Sequence, residues 1–176
     1  MKMVQRRSRL IVDPERFEND AEHSFHIAAM AVLLKEYAHP GTDMERVLSM
    51  LLFHDVVEIE AGDTFAYDDV GNASKEEREQ AAADKLFGLL PEDQRAYVRG
   101  LWDEFEAQET AESRFALAMD RLEPVYLNAK SGGGTWKDAH VSREAVDRRI
   151  AVLKEFPKLY EFTVELVDSF FAGGDQ

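Results

Sequence analysis

The stripe Val47, Leu51, His54, Glu58 steps by four, three and four residues. On a helix these side chains share one face, so two apolar and two strongly polar groups meet the same neighbours. The run around them, Met50-Leu51-Leu52-Phe53-His54-Asp55-Val56-Val57-Glu58, is otherwise almost wholly apolar. Burying His54 and Asp55 there costs free energy unless a partner satisfies them. Neutral imidazole and carboxylate are both good ligands for a divalent cation, which would be such a partner. The fold is then constrained to bring further ligands to the His54-Asp55 doublet.

The rest of the chain keeps the helical period and has few period-2 stretches, which predicts an all-α bundle. Over residues 21–38, His23, Ile27, Met30, Leu34 and Tyr37 fall on one face, and Pro40-Gly41 ends the helix. Thr42-Asp43-Met44-Glu45 has the form of a capping box that opens the helix carrying His54 and continuing through Glu58. Gly62-Asp63-Thr64 breaks the pattern, and Ser74-Lys75-Glu76-Glu77 reads as a second capping box. Further helices are predicted after Pro91, over residues 111–129, and over 143–155 and 158–171. Gly132-Gly133-Gly134 marks a stop and hinge before Trp136. It is not a phosphate loop, because it lacks the Gly-Lys-Ser/Thr context.

The chain has 176 residues, 45% apolar and 32% charged, as expected for a single soluble domain with a sizeable core. No stretch is long and apolar enough to span a bilayer, and the charged N-terminus has no apolar core of a secretory signal. Cysteine is absent, which excludes disulfides and thiol catalysis and fits a cytoplasmic setting. The net charge of −14 repels nucleic acid and anionic membranes. Against that field, Lys2, Arg6, Arg7 and Arg9 open the chain without an acid among them, and Arg16 follows. This basic segment is either a solvated surface or a place to meet a small anion such as a phosphate.

Four residues are candidates for a metal site: His23 on the buried stripe of its helix, His54 and Asp55 on the next, and Asp120 within the apolar stretch Phe115-Ala116-Leu117-Ala118-Met119-Asp120. A lone helix histidine is ordinarily a hydrogen-bonded core residue, and Asp120 has Arg121 beside it as an ion-pair partner. Their joint occurrence in apolar settings on separate helices favours a metal. Two imidazoles and two carboxylates accept Mn, Co, Fe, Ni, Zn or Mg. His26, His39 and His140 lack companions at ligand spacing and read as surface residues, with a supporting place beside His23 as the alternative for His26, about one turn on.

The order His23, His54-Asp55, Asp120 resembles the HD-domain superfamily of metal-dependent phosphohydrolases. Glu18-Asn19-Asp20-Ala21-Glu22-His23-Ser24 is similar to its E-N-x-A-E-H-S signature. Leu52-Phe53-His54-Asp55-Val56-Val57-Glu58 through Gly62-Asp63-Thr64 is similar to L-x-H-D-x-x-E-x-x-x-G-D-T, and Met119-Asp120-Arg121-Leu122-Glu123 to A-x-D-K/R-L-E. Trp102-Asp103-Glu104-Phe105-Glu106 matches a further helix of the subgroup. The similarity extends over residues 6–130, and the branch it most resembles is the bacterial HD-domain 5′-deoxynucleotidases.

The resemblance implies one HD domain over residues 1–176, with core motifs at 16–130 and C-terminal helices at 143–171 packed on it. It implies hydrolysis of nucleoside monophosphates with one divalent ion held by His23, His54, Asp55 and Asp120. Glu58 becomes the general acid/base, against its reading as an ordinary solvated glutamate, a role Glu60 already fills. Asp63 becomes a sugar contact or remains a simple turn residue. The family's phosphate-clamping arginine falls on Arg7 first, then Arg6, then Arg16. The tryptophan that follows it in the deoxynucleotidases has no counterpart in Arg6-Arg7-Ser8. Lys75 either reaches phosphate from a helix N-terminus or is solvated. Other small phosphate esters, cyclic or pyrophosphorylated nucleotides, and a non-catalytic ligand-binding module are the alternatives. A homodimer is expected, with Trp136, Phe170 and Phe171 at exposed helix ends as its apolar contacts.

Overall fold

Helices form where the apolar period is 3.6, and their ends fall at polar caps. The computed structural model describes residues 1–172. The chain opens with β1 (Gln5–Arg9) and β2 (Phe17–Asn19), an antiparallel pair with register Gln5↔Asn19 and Arg9↔Phe17. There follow α1 (Asp20–Leu33), α2 (Met44–Phe53), α3 (Glu58–Ala61), α4 (Asp69–Asn72), α5 (Lys75–Phe87) and α6 (Glu92–Ala107). The chain continues with α7 (Ala111–Lys130), α8 (Gly134–Asp138), α9 (Arg143–Arg149), a 3₁₀ segment (Ile150–Glu155) and α10 (Pro157–Phe171). Among the described residues, no helix is long and apolar enough to cross a membrane.

The all-α bundle is as expected; what the sequence did not indicate is that the basic N-terminal segment is a strand of a small two-stranded sheet. Its alternation is short and polar, with Ser8 buried and Arg7 exposed, so no apolar period betrays it. Leu10 N–H donates to the Arg16 carbonyl, closing the hairpin. Arg9 ties β1 to α8 through Asp138 at 2.8 and 2.9 Å.

The helix expected to run through His54 into Glu58 is also interrupted. Residues 54–57 form a turn in which Val56 N–H donates to the Phe53 carbonyl and Glu58 N–H to the Asp55 carbonyl. These three-residue steps tighten the backbone and restart the helix at Glu58. Two predicted caps are displaced as well. Asp43, not Thr42, accepts from Glu45 N–H and Arg46 N–H. Ser74 caps nothing and accepts from Arg78 instead. The working capping boxes are Asn19 with Glu22 on α1 and Thr110 with Ser113 on α7.

α7 is the axis of the bundle, packing against α1, α2, α6 and α10. Phe115, Met119 and Leu122 are fully buried along it, and Ile27, Met50 and Leu51 meet them from α1 and α2. Trp136 is buried rather than exposed and stacks on Phe170 and Phe171, with ring centroids 5.5 and 5.6 Å away. Of the three aromatics expected at exposed helix ends, Trp136 is buried, and Phe170 and Phe171 are half-buried beside it.

Candidate metal centre

Four elements converge where α7 passes the end of α2. His23 sits one turn into α1, His54 and Asp55 in the turn after α2, and Asp120 midway along α7, all buried. His54 Nδ1–H donates to the Leu51 carbonyl at 2.9 Å, which leaves Nε2 with the lone pair. That Nε2 is buried and has no hydrogen-bond partner. His23 Nδ1–H donates to Glu123 at 3.3 Å, so its Nε2 also faces the centre, 3.1 Å from Asp120 Oδ1. Ligand atoms of His23, His54 and Asp55 lie within 4.8 Å of one another. Asp120 Oδ1 joins them, 3.7 Å from His54 Nε2. Two imidazole nitrogens and two carboxylates, one nitrogen an orphan in the interior, are a donor set that fits a divalent cation.

The electrostatics follow from packing carboxylates together. Burial, reinforced by Asp55, pushes the Glu58 carboxyl up to about 10. Burial likewise raises Asp20 to about 7 and Glu18 to about 7. Burial opposes charge on His54, yet Asp55 and Asp120 carry it up to about 9. Burial also opposes charge on Asp55 and Asp120. His54 and Arg6 nevertheless hold Asp55 low, and Arg121 and His23 hold Asp120 low. Protons and a cation thus compete for the same nitrogens.

The geometry sorts the expected site residues. Arg6 points inward from β1, its Nη1 donating to Asp55 Oδ2 at 2.6 Å and its Nη2 lying 4.0 Å from Asp120 Oδ1. Asp63 lines the same cavity as Arg6, and burial raises its carboxyl. Arg7, the first choice for phosphate, also lines that cavity but is exposed, with its guanidinium over Phe65, 5.5 Å from the ring centre. Alternation along a strand turns neighbours to opposite faces, so Arg6 and not Arg7 reaches the carboxylates of the centre. Arg16 is outside the centre, paired with Glu22 at 2.9 and 3.0 Å. Lys75 lies in another cavity, 3.4 Å from Glu79. Glu58 is buried against the centre, with an Oε2 that has no hydrogen-bond partner.

Several contributors, His26 apart, had no role of their own in the sequence reading. Glu123 accepts from both His23 and His26, so His26 is part of this network and not a bystander. Its signal was the spacing of three from Asp120, which puts both on one face of α7. Asp20 is fully buried with both carboxylate oxygens unpartnered, and it groups with Asp55 and Glu58 within 4.8 Å. Nothing in the sequence distinguished it from an ordinary first-turn aspartate. Glu18 lies 3.6 Å from His23 Nδ1.

Comparison with known proteins places this arrangement. A family model described as HD domain matches residues 1–160. The human 5′-deoxynucleotidase HDDC2 is 30% identical over 125 residues, which cover 71% of this chain and 60% of that protein. The bovine protein of the same name is 32% identical with the same coverage, and the zebrafish (Danio rerio) one 27% identical over 90% of this chain and 79% of its own. The chain thus spans about 60% of the length of the human and bovine relatives. A crystal structure of a predicted metal-dependent phosphohydrolase from Magnetospirillum magnetotacticum MS-1 superposes with a TM-score of 0.93. It shares 49% identity over 98% of this chain and 87% of that one. With the family's region spanning nearly the whole sequence and its histidines and aspartates meeting in space, this chain belongs to the HD-domain family.

Proposed function

We propose that this protein is a metal-dependent phosphohydrolase that cleaves the phosphomonoester of nucleoside 5′-monophosphates. The observation that carries the reading is the convergence of His23, His54, Asp55 and Asp120 with Glu58 and Arg6 on one buried centre. The names of its relatives, 5′-deoxynucleotidase and metal-dependent phosphohydrolase, support the reaction type.

A divalent cation held by those four residues would supply Lewis acidity toward the phosphate and the attacking water. The remaining work falls to the chain. Arg6 exchanges its contact with Asp55 for the phosphate oxygens, a charge-assisted pairing that orients phosphorus. Burial favours the neutral form of Glu58, which suits it to carry a proton to the leaving oxygen. As the bond from phosphorus to the ester oxygen breaks, that proton goes to the leaving oxygen. The attacking water supplies the new oxygen on phosphorus and returns a proton to Glu58, so the products are an alcohol and inorganic phosphate. Asp63, which lines the cavity with Arg6, is assigned the sugar contact in this reading.

Purified protein assayed with dAMP and dUMP in Mn²⁺ or Co²⁺ is expected to release phosphate. Metal binding without phosphate release under any of these conditions would overturn the reading. A cytoplasmic homodimer completes the proposal. Phe25, Val32 and Leu33 are exposed on α1, and Leu52 and Ile59 on the neighbouring elements, a more suitable contact than the buried Trp136. Light scattering at the monomer mass of 20.0 kDa would remove the dimer.

A further inference from the structure

Two cavities beside the metal centre share a wall of Tyr67, Arg121 and Arg149. The charged residues lining the first are Arg6, Arg7, Arg121, Arg149 and a single acid, Asp63. Those lining the second are Arg121, Arg148 and Arg149, with His140 beside them and no acid at all. This inverts the composition of a chain with 35 acidic and 21 basic residues. Neutralisation elsewhere is nearly complete. Arg9, Arg16, Arg46, Arg99, Arg114 and Arg143 each hold a carboxylate, and Arg78 holds backbone carbonyls. Among the described residues, the arginines whose side chains make no hydrogen bond or ion pair are Arg7, Arg148 and Arg149. All three line these cavities.

Arg149 is the most telling of them. It sits at the end of α9 between buried Val146 and Ile150, so its backbone is anchored while its guanidinium faces the shared wall. Arg121 commits Nη1 to Asp120 Oδ2 at 2.7 Å, and its other N–H groups make no hydrogen bond among the described residues. It thereby links the metal centre to the second cavity. Burial, with repulsion from Arg121, lowers Arg149 to about 10, still a cation at neutral pH. A half-buried guanidinium that feels Asp120 only at a distance and makes no hydrogen bond or ion pair is costly to keep unless something else pairs with it. Guanidinium groups match phosphate oxygens in a two-point geometry that a lysine cannot reproduce.

We propose that Arg149, with Arg121 and Arg148, forms a second anion subsite that holds a second phosphate of the substrate while the scissile phosphate sits at Arg6. The proposal rests on the phosphomonoesterase reading and sharpens it. The preferred ligand is a nucleotide with two phosphoryl groups: separate as in a 3′,5′-bisphosphate, where the 5′-phosphomonoester is cut and a 3′-phosphate leaves with the nucleoside, or linked as in a 5′-diphosphate, where the terminal anhydride is cut and the 5′-monophosphate is the leaving group.

Equilibrium binding tests this in the Glu58→Gln chain with Mn²⁺, so that the ligands are not consumed. Calorimetry compares 2′-deoxyadenosine 5′-monophosphate, its 3′,5′-bisphosphate and its 5′-diphosphate. One of the doubly phosphorylated ligands is expected to bind about tenfold or more tighter than the monophosphate, as one charge-assisted pairing allows. Which one gains tells whether the phosphates are separate or linked. Arg149→Ala should bring the ratio near one, and Arg149→Lys should keep part of it. Equal binding of all three ligands by the chain with Arg149 intact overturns the subsite, and this comparison decides even if Arg149→Ala does not fold. A preference that survives Arg149→Ala overturns it too. Absence of phosphate release from every ligand by the unsubstituted protein counts against the parent reading instead, since the binding ratio does not depend on turnover.

Discussion

At the scale of single residues, the centre assigns distinct work to groups that look alike in sequence. Glu58 and Glu60 lie two positions apart, yet Glu58 is buried beside Asp55 and Glu60 pairs with Lys85 at the surface. Glu58→Gln removes the transferable proton without removing a metal ligand. Phosphate release should fall about 100- to 10,000-fold, while metal content measured by atomic absorption stays at the unsubstituted level; unchanged turnover would remove Glu58 from the chemistry. Glu123 acts through His23, fixing which imidazole nitrogen faces the centre. Glu123→Gln keeps the shape and loses the charge, so metal affinity should weaken about tenfold or more. Affinity equal to that of the unsubstituted chain in a competition titration would show that His23 needs no such support.

At the scale of elements, the helices and the four residues that converge on the centre were legible because long amphipathic periods and polar residues in apolar runs are local signals. β1 was not, since five polar residues carry no apolar alternation and pair only with a segment beyond the turn. The break after Phe53 was hidden for a related reason: the residues of a tight turn keep helical spacing on paper. Placing Arg6 rather than Arg7 at the centre depended on that strand. The junction of α7 and α8 makes a sharper test of local geometry. Gly133 has φ of +104°, and a Cβ there would lie 2.3 Å from the Phe170 ring. Gly133→Ala should cost about 3 kcal/mol from strain and overlap, read as a drop of about 6 to 12 °C in the thermal midpoint. A midpoint unchanged by the substitution would mean that α10 does not pack on this turn. Between α2 and α6, Arg46 Nε donates to Glu104 at 2.7 Å, and Thr110 adds a second donor at 2.7 Å. Burial opposes the charge on Glu104, but Arg46 holds its pKa below the ordinary value of 4.5. A lowered folded pKa stabilises above the unfolded value, and that contribution fades as pH falls through the folded one. Glu104→Gln should therefore destabilise by about 1 kcal/mol at pH 7, modest because Arg46 is partly exposed. The difference from the unsubstituted protein should shrink below about pH 4.5; a gap that widened in acid would contradict the pairing.

At the scale of the whole molecule, the bundle gathers Glu18, Asp20, Asp55, Glu58, Asp63, Asp120 and Glu123 into one interior region, with Arg6 and Arg121 as the neighbouring permanent cations. Sequence motifs picked out the four residues that converge, but which arginines border the centre depends on how the 3₁₀ segment after α9 packs on α7, a non-local fact. So much buried acid is destabilising unless protons or a cation offset it. Stability should therefore follow metal occupancy. A ligand that binds only the folded chain at 100 times its dissociation constant adds about 2.7 kcal/mol, or about 5 to 10 °C for a chain of this size. Melting in excess EDTA and then in titrated Mn²⁺ should show that rise, saturating with one ion per chain. In His54→Ala the orphaned Nε2 is gone, and the same titration should move the midpoint little. An identical midpoint with chelator and with metal in the unsubstituted protein would mean that the carboxylates are balanced by their own protons and by Arg6, and that this centre is not built around a cation.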